Sequence, residues 1–344
     1  MVLLRRIAAS LTGKPIGGSG REAAAVRVSA TSKRRFVFDE VGVLAAVLLI
    51  SLILTLSSPY FLTLNNLLRV GRQVSFVGLL AIGMAIVIAS GQIDISVGRV
   101  ITLVSFAIAT LITRFGVDPW IAFGLGVLVG GVCGLINGGL SLLFNVHPMI
   151  VTLGTMNLFW GLAIGLSGGK PIVVHTESSF FALGQGEILG VPSPLLVFIL
   201  MSIVLHIVLK RTRSGRHVLA VGSNAQAARY AGIRDKRVRL SVMILMGLMA
   251  GLAGGMTLAF FQTFDPNIGA GMEMNTIAAA VIGGADLMGG YASVIGAMLG
   301  TILIGLLNNG LVLIGVGAYW NNFVTGAVIL IAIGVGTLMK LRRR

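Results

Sequence analysis

Apolar residues fall in long runs separated by short polar breaks. Runs at 41–57, 74–90, 100–112, 119–144, 148–166 and 192–209 precede a polar loop at 210–239, and runs at 240–261, 291–316 and 320–339 follow it. A helix needs about 20 apolar residues to cross a bilayer core, so each run predicts a membrane span. A weaker stretch at 274–288 has the same bias. The first run starts near residue 41, too deep for an ordinary cleaved signal peptide, and reads as an uncleaved first span.

Charge then fixes direction. Of 26 Lys and Arg residues, 21 lie in three blocks: eight in 1–40, nine in 210–239 (from Lys210 to Arg239) and four in 340–344. Cationic loops stay on the cytoplasmic side and are attracted there by anionic headgroups. Six spans before the loop place 1–40 and 210–239 on one side. An even number must follow it to bring Lys340, Arg342, Arg343 and Arg344 back, so 274–288 must cross or nearly cross. The expectation is an all-α polytopic membrane helix bundle of about ten spans, with cytoplasmic N- and C-termini and a basic N-terminal extension at 1–40. The outer loops 167–191 and 262–273 carry Lys170 against Glu177, Glu187, Asp265 and Glu273, in keeping with this topology. Arg69 and Arg72 are the exception, falling on the outer side, where an interfacial helix or a broken second span would hold them.

Composition agrees. The chain is 56% hydrophobic and 11% charged, whereas soluble domains carry about 25% charged residues, which excludes a water-soluble fold and a disordered chain. The net charge of +15 reports topology, and a nucleic-acid partner is not implied. Glycine, at 48 residues, is about twice its usual 7% and falls inside the apolar runs, where small residues let helices approach closely. The single cysteine, Cys133, forms no internal disulfide and offers no zinc spacing. Walker A, HExxH and nucleophile-elbow patterns are absent, and His147, His175, His206 and His217 are scattered, so neither catalysis nor a metal site is expected.

Polar residues inside the apolar part are the candidates for a solute path or gate. The segment from Gly91 to Arg99 brings Gln92 and Asp94 between two spans, and a carboxylate at mid-membrane costs about 2.5–3.5 kcal/mol unless it finds a partner or water. Arg99 is close in sequence; alternatively Asp94 caps a helix start in a cytoplasmic hairpin turn. Gly91, Asp94 and Gly98 recur as Gly283, Asp286 and Gly290 at an offset of 192 residues, the spacing of a parallel repeat. Asn137, Thr152, Thr155, Asn157, Asn308, Asn309 and Asn321 lie within spans, with Trp160 nearby. Neutral amides and hydroxyls suit an uncharged, polyhydroxylated solute, and they equally suit hydrogen bonding between helices.

Within the basic loop, Asn224 precedes good helix formers and Gly232 follows them, predicting a short capped rod at the membrane surface. The rod either docks on a partner or lies on anionic lipid. Over residues 40–340 the chain resembles the ribose-type permeases of bacterial ATP-binding cassette (ABC) sugar importers. The family's G-G-I-D-L-S-V-G appears as Gly91 to Gly98. Its G-x-N-x-x-A-A-x-x-x-G-I appears as Gly222 to Ile233, and its E-L-D-A-I-A-A-x-V-I-G-G-x-S-L-x-G-G as Glu273 to Gly290, with Leu306 to Gly310 also similar. Departures are Gln92 for glycine, Asn275 for aspartate and Asp286 for serine.

The resemblance implies a permease domain over 41–340 in a bacterial inner membrane, without enzymatic activity of its own. It implies three partners: a second permease copy or close homologue, a cytoplasmic ABC ATPase holding ATP and magnesium, and a periplasmic sugar-binding protein. Gly222, Asn224, Ala227, Ala228 and Gly232 would then form the coupling element, and Gln92, Asp94, Asn137, Asn157, Asn275, Asp286, Asn308 and Asn309 are the gating or pathway candidates. The cargo expected is a monosaccharide or related polyol. A branched-chain amino-acid permease of related architecture, an ion-coupled carrier and a non-transporting scaffold are the alternatives.

Overall fold

The computed structural model describes residues 40–316, with 320, 323, 324, 326 and 327. Nearly all of the 1–40 extension, Asn321 and most of the 320–339 run with the basic cluster after it lie outside the described residues. In chain order the structure has α1 (Glu40–Ser57), α2 (Leu64–Ala89), α3 (Val97–Phe115), α4 (Pro119–Phe144) and α5 (Pro148–Ser167). An outer segment follows, with β1 (Ile172–Val173), α6 (Ala182–Gln185), β2 (Glu187–Ile188) and β3 (Val191–Pro192). Then come α7 (Ser193–Arg211), α8 (Arg213–Ser223), α9 (Ala225–Tyr230), α10 (Asp235–Phe261), β4 (Thr263–Phe264), α11 (Met272–Ile282) and α12 (Val294–Leu313). Eight of these helices are long and apolar enough to cross a membrane, six of them before α8.

Local chemistry sets the boundaries. Asp118 accepts from the Trp120 and Ile121 N–H groups ahead of Pro119, and His147 accepts from the Met149 N–H ahead of Pro148. Proline at the first helical position loses no hydrogen bond, because that N–H would have no partner in the helix. β1 pairs antiparallel with β4, Ile172 opposite Phe264, tying the segment after α5 to the end of α10 on the outer side.

The stretch expected at 274–288 crosses in a different form. α11 has 11 residues and spans about 16 Å, half of a bilayer core. Before it, residues 265–271 fold back into the bundle, and Gly269 packs on the backbone of Gly98 at the start of α3. After it, the Gly290 N–H donates to the Ala89 carbonyl at 2.8 Å beside Gly222 of the basic loop. A re-entrant coil and a half-length helix thus carry the chain from the outer side to the cytoplasmic side.

Arg69 and Arg72 need neither an interfacial helix nor a broken span. α2 is continuous over 26 residues, and its first turns stand at the outer surface. Arg69 is exposed, while Arg72 pairs with Glu187 of β2 at 3.0 Å and lies 5.9 Å from the Phe260 ring centre.

α2 and α10 are largely buried, whereas α1 and α5 are largely exposed. α4 and α10 cross where a Cβ on Gly134 would overlap the Met243 carbonyl and one on Gly130 would overlap the Gly247 carbonyl. Lipid tails offer no hydrophobic drive for helix association, so this close backbone approach, with its dispersion contact, holds the pair. Gly134→Val is therefore expected to destabilise the bundle by at least about 1–3 kcal/mol, read as a lower thermal midpoint in detergent. Gly139→Ala, on the same helix with open space around it, should leave the midpoint unchanged or raise it.

Candidate functional site: a polar knot above the cytoplasmic elbow

Residues 90–96 leave the helical path between α2 and α3, and the polar groups they bring are buried. Asp94 is 1% exposed. Its Oδ1 accepts from the Ser96 N–H at 2.8 Å and the Ser96 hydroxyl at 2.6 Å. Its Oδ2 accepts from Asn137 Nδ2 of α4 at 3.4 Å, and the same amide donates to Ser96 Oγ at 2.8 Å. The Thr155 hydroxyl of α5 donates to Asn137 Oδ1 at 2.6 Å, and Thr152 Oγ1 accepts from the Ile95 N–H at 3.2 Å. One hydrogen-bonded chain therefore joins the α2–α3 break to α4 and α5.

Sequence proximity misplaces the partner of Asp94. Arg99 points away and stacks on Trp160, and Asp94 is satisfied by hydroxyl, amide and backbone donors alone. The Asp94 turn closes on Ser96, which holds the N-cap position of α3 without a side-chain cap bond, so Asp94 braces the residue before the helix and does not cap it. Gln92, 2% exposed, accepts from the Ser90 hydroxyl at 3.2 Å. His147 fixes the same turn from α5: with Nδ1 accepting from the Met149 N–H, Nε2 carries the proton and lies 3.3 Å from the Gly91 carbonyl.

The basic loop forms an elbow beneath this knot. Asn224 ends α8, its N–H donating to the Ala220 carbonyl, and starts α9, its Oδ1 accepting from the Gln226 and Ala227 N–H groups at 3.0 and 2.9 Å. Ala228 is buried, and Gly232, at φ 81°, turns the chain toward α10. Gly222, the second-last residue of α8, sits against the Ala89 carbonyl and the Gly290 nitrogen with no room for a Cβ. The elbow thus touches both the α2–α3 break and the loop between α11 and α12.

The other candidates lie elsewhere. Asn157 is exposed on α5 and donates only to the Leu153 carbonyl of its own turn. Asn275 is half-buried on α11. Asp286 organises the 283–293 loop, its Oδ1 accepting from the Met288 N–H at 3.2 Å in the same i to i+2 turn that Asp94 makes with Ser96, but it is half-buried where Asp94 is buried. Asn309 exchanges two amide hydrogen bonds with Asn66, at 3.0 and 2.8 Å, clamping α12 to the outer end of α2. Asn308, beside it, has a buried Oδ1 without a partner among the described residues. Ser96 is the knot residue that sequence reading misses; a serine two positions after an aspartate in a helix-breaking segment is the available signal. No group of three or more His, Cys, Asp or Glu side chains able to hold a metal occurs among the described residues.

The sequence as a whole is similar to known proteins. A family model described as "Branched-chain amino acid transport system / permease component" matches residues 66–333. The ribose import permease protein of Bacillus subtilis (strain 168) is 38% identical over 308 residues, covering 88% of this chain and 95% of that protein. The ribose import permease protein of Escherichia coli (strain K12) is 34% identical over 303 residues, covering 87% and 94%. The D-allose transport system permease protein of the same strain is 34% identical over 323 residues, covering 92% and 98%. No solved structure gives a significant match.

Removing the amide at the centre of the knot should leave several buried groups unpaired. Asn137→Leu is expected to cost about 1–3 kcal/mol in unfolding measured in detergent, and in a double-mutant cycle with Asp94→Ala the two losses should fall short of additivity by about 1 kcal/mol. Asn157→Leu should change stability by less than about 0.5 kcal/mol.

Proposed function

This chain belongs to that permease family, in its ribose-type sugar branch, and is a multi-pass inner-membrane protein; from that premise we propose that it moves a neutral monosaccharide or related polyol inward, driven by ATP hydrolysis on a separate cytoplasmic ATPase. ATP and magnesium sit on that partner. A periplasmic binding protein delivers the solute and sets most of the specificity, and a second permease copy or homologue completes the path.

The observation that carries the coupling is the fit of Gly222 between Ala89 and Gly290. α9 presents a capped surface rod to the ATPase, and Asn224 joins it to α8 without an intervening loop. A displacement of α9 therefore reaches two segments at once, the break that holds Asp94 and the loop that follows α11. A ligand or partner shifts a conformational equilibrium only by what it binds differently in the two states, and ATPase closure on α9 supplies that difference.

The test is reconstitution of the permease with the ATPase and binding protein encoded beside it, measuring ATP-driven uptake of D-ribose, L-arabinose and D-allose. Uptake of a sugar that requires ATP and all three components is expected. Uptake of branched-chain amino acids instead would favour the alternative substrate class, and accumulation by the lone permease on an ion gradient would overturn the ATP-driven reading. Deletion of 224–231, or Gly232→Trp, should leave the permease inserted while abolishing ATPase stimulation by loaded binding protein.

A further inference from the structure

Two charged side chains stand within the membrane-spanning part of the bundle and take no part in the Asp94 knot. Arg99, in the first turn of α3, lays its guanidinium over the Trp160 ring of α5, 4.8 Å from the ring centre. The Trp160 indole N–H donates to the Pro266 carbonyl of the re-entrant coil at 3.1 Å, fixing the ring. Glu273, in the first turn of α11, packs its Oε2 against Gly98, the residue before Arg99. Trp160 lies 12 residues beyond the start of a 20-residue helix, so the cluster sits about 18 Å along a rod of about 30 Å.

Each charged group has a buried polar atom with no protein partner, Nη1 of Arg99 and Oε2 of Glu273, and neither forms an ion pair among the described residues. Burying an unmatched polar atom costs about 1–3 kcal/mol, and more when it is charged. Apolar side chains of similar volume would hold this junction at lower cost, so packing does not account for the choice of residues. The flank they occupy is not shaped for lipid. Asn157, three residues before Trp160, exposes its amide on α5, and the re-entrant coil places irregular backbone at the same level, which a bilayer tolerates only against protein or an aqueous path.

We propose that Arg99, Trp160 and Glu273 form a solute-contacting constriction halfway along the transport path, and that Arg99 and Glu273 are specificity-determining residues for a neutral polyhydroxylated solute. The guanidinium donates to passing hydroxyls and the carboxylate accepts from them. One cation and one anion leave no net charge to attract an ionic solute, and the indole holds the guanidinium in position. This deepens the sugar-import reading and rests on it for the identity of the cargo.

The lone, buried Cys133 makes the test direct. In a Cys133→Ala background, in the complete transporter in proteoliposomes, Arg99→Cys and Glu273→Cys are reacted with a membrane-impermeant cationic methanethiosulfonate. Leu48→Cys, on the exposed face of α1, reports lipid-facing reactivity. Reaction at 99 and 273 at least ten times faster than at 48 is expected; reaction no faster than at 48 overturns the constriction. In the second arm, uptake of the same three sugars should fall at least tenfold in Arg99→Met and Glu273→Gln and recover in Arg99→Lys. Wild-type uptake by Arg99→Met also overturns it. If the wild-type transporter takes up none of the sugars, the cargo reading fails, and labelling alone decides whether the constriction exists.

Discussion

Three separate stretches of backbone meet at Gly222 with no side chain between them. The Ala89 carbonyl, the Gly91 turn and the Gly290 nitrogen close around one residue, and any Cβ there would force them apart. In a bilayer, where hydrophobic drive between helices is missing, close contact of this kind is the adhesive. α8, the break at 90–96 and the loop after α11 therefore meet at one joint. Replacing that contact with flexible side chains would let each part absorb motion by changing rotamers.

The Asp94 knot protects the joint from its own chemistry. A helix break within a membrane protein frees backbone groups and here brings a carboxyl group with it, and both demand partners. Ser96, Asn137, Thr152 and Thr155 supply them from neighbouring elements, with no cation involved. The result is a break held in one geometry and tied to α4 and α5.

Spans bounded by strong signals were legible in the sequence. Asp118 with Pro119 marks the start of α4, Pro148 that of α5, and Asn224 and Gly232 delimit α9 almost residue by residue. α2 extends ten residues ahead of its apolar run: Thr63 caps its start, and Arg72 pairs with Glu187, which lies 115 residues away and does not register in local hydropathy. α11 is apolar enough to suggest a span, yet only the fold shows that half of that crossing is coil pressed on Gly98. The site was half visible: Asp94 and Asn137 stand out as polar groups among apolar ones, but their separation of 43 positions conceals that they are partners. Arg99 lies near Asp94 in sequence, whereas the aromatic ring that holds it is on α5.

The reciprocal amide pair of Asn66 and Asn309 holds the outer end of α2, while the elbow bears on its inner end at Ala89. These points are 23 residues apart, about 35 Å along the axis. A rod held at two points that far apart is fixed in tilt as well as in depth. On the coupling proposed above, a load on α9 would reach α2 as torque about its outer end.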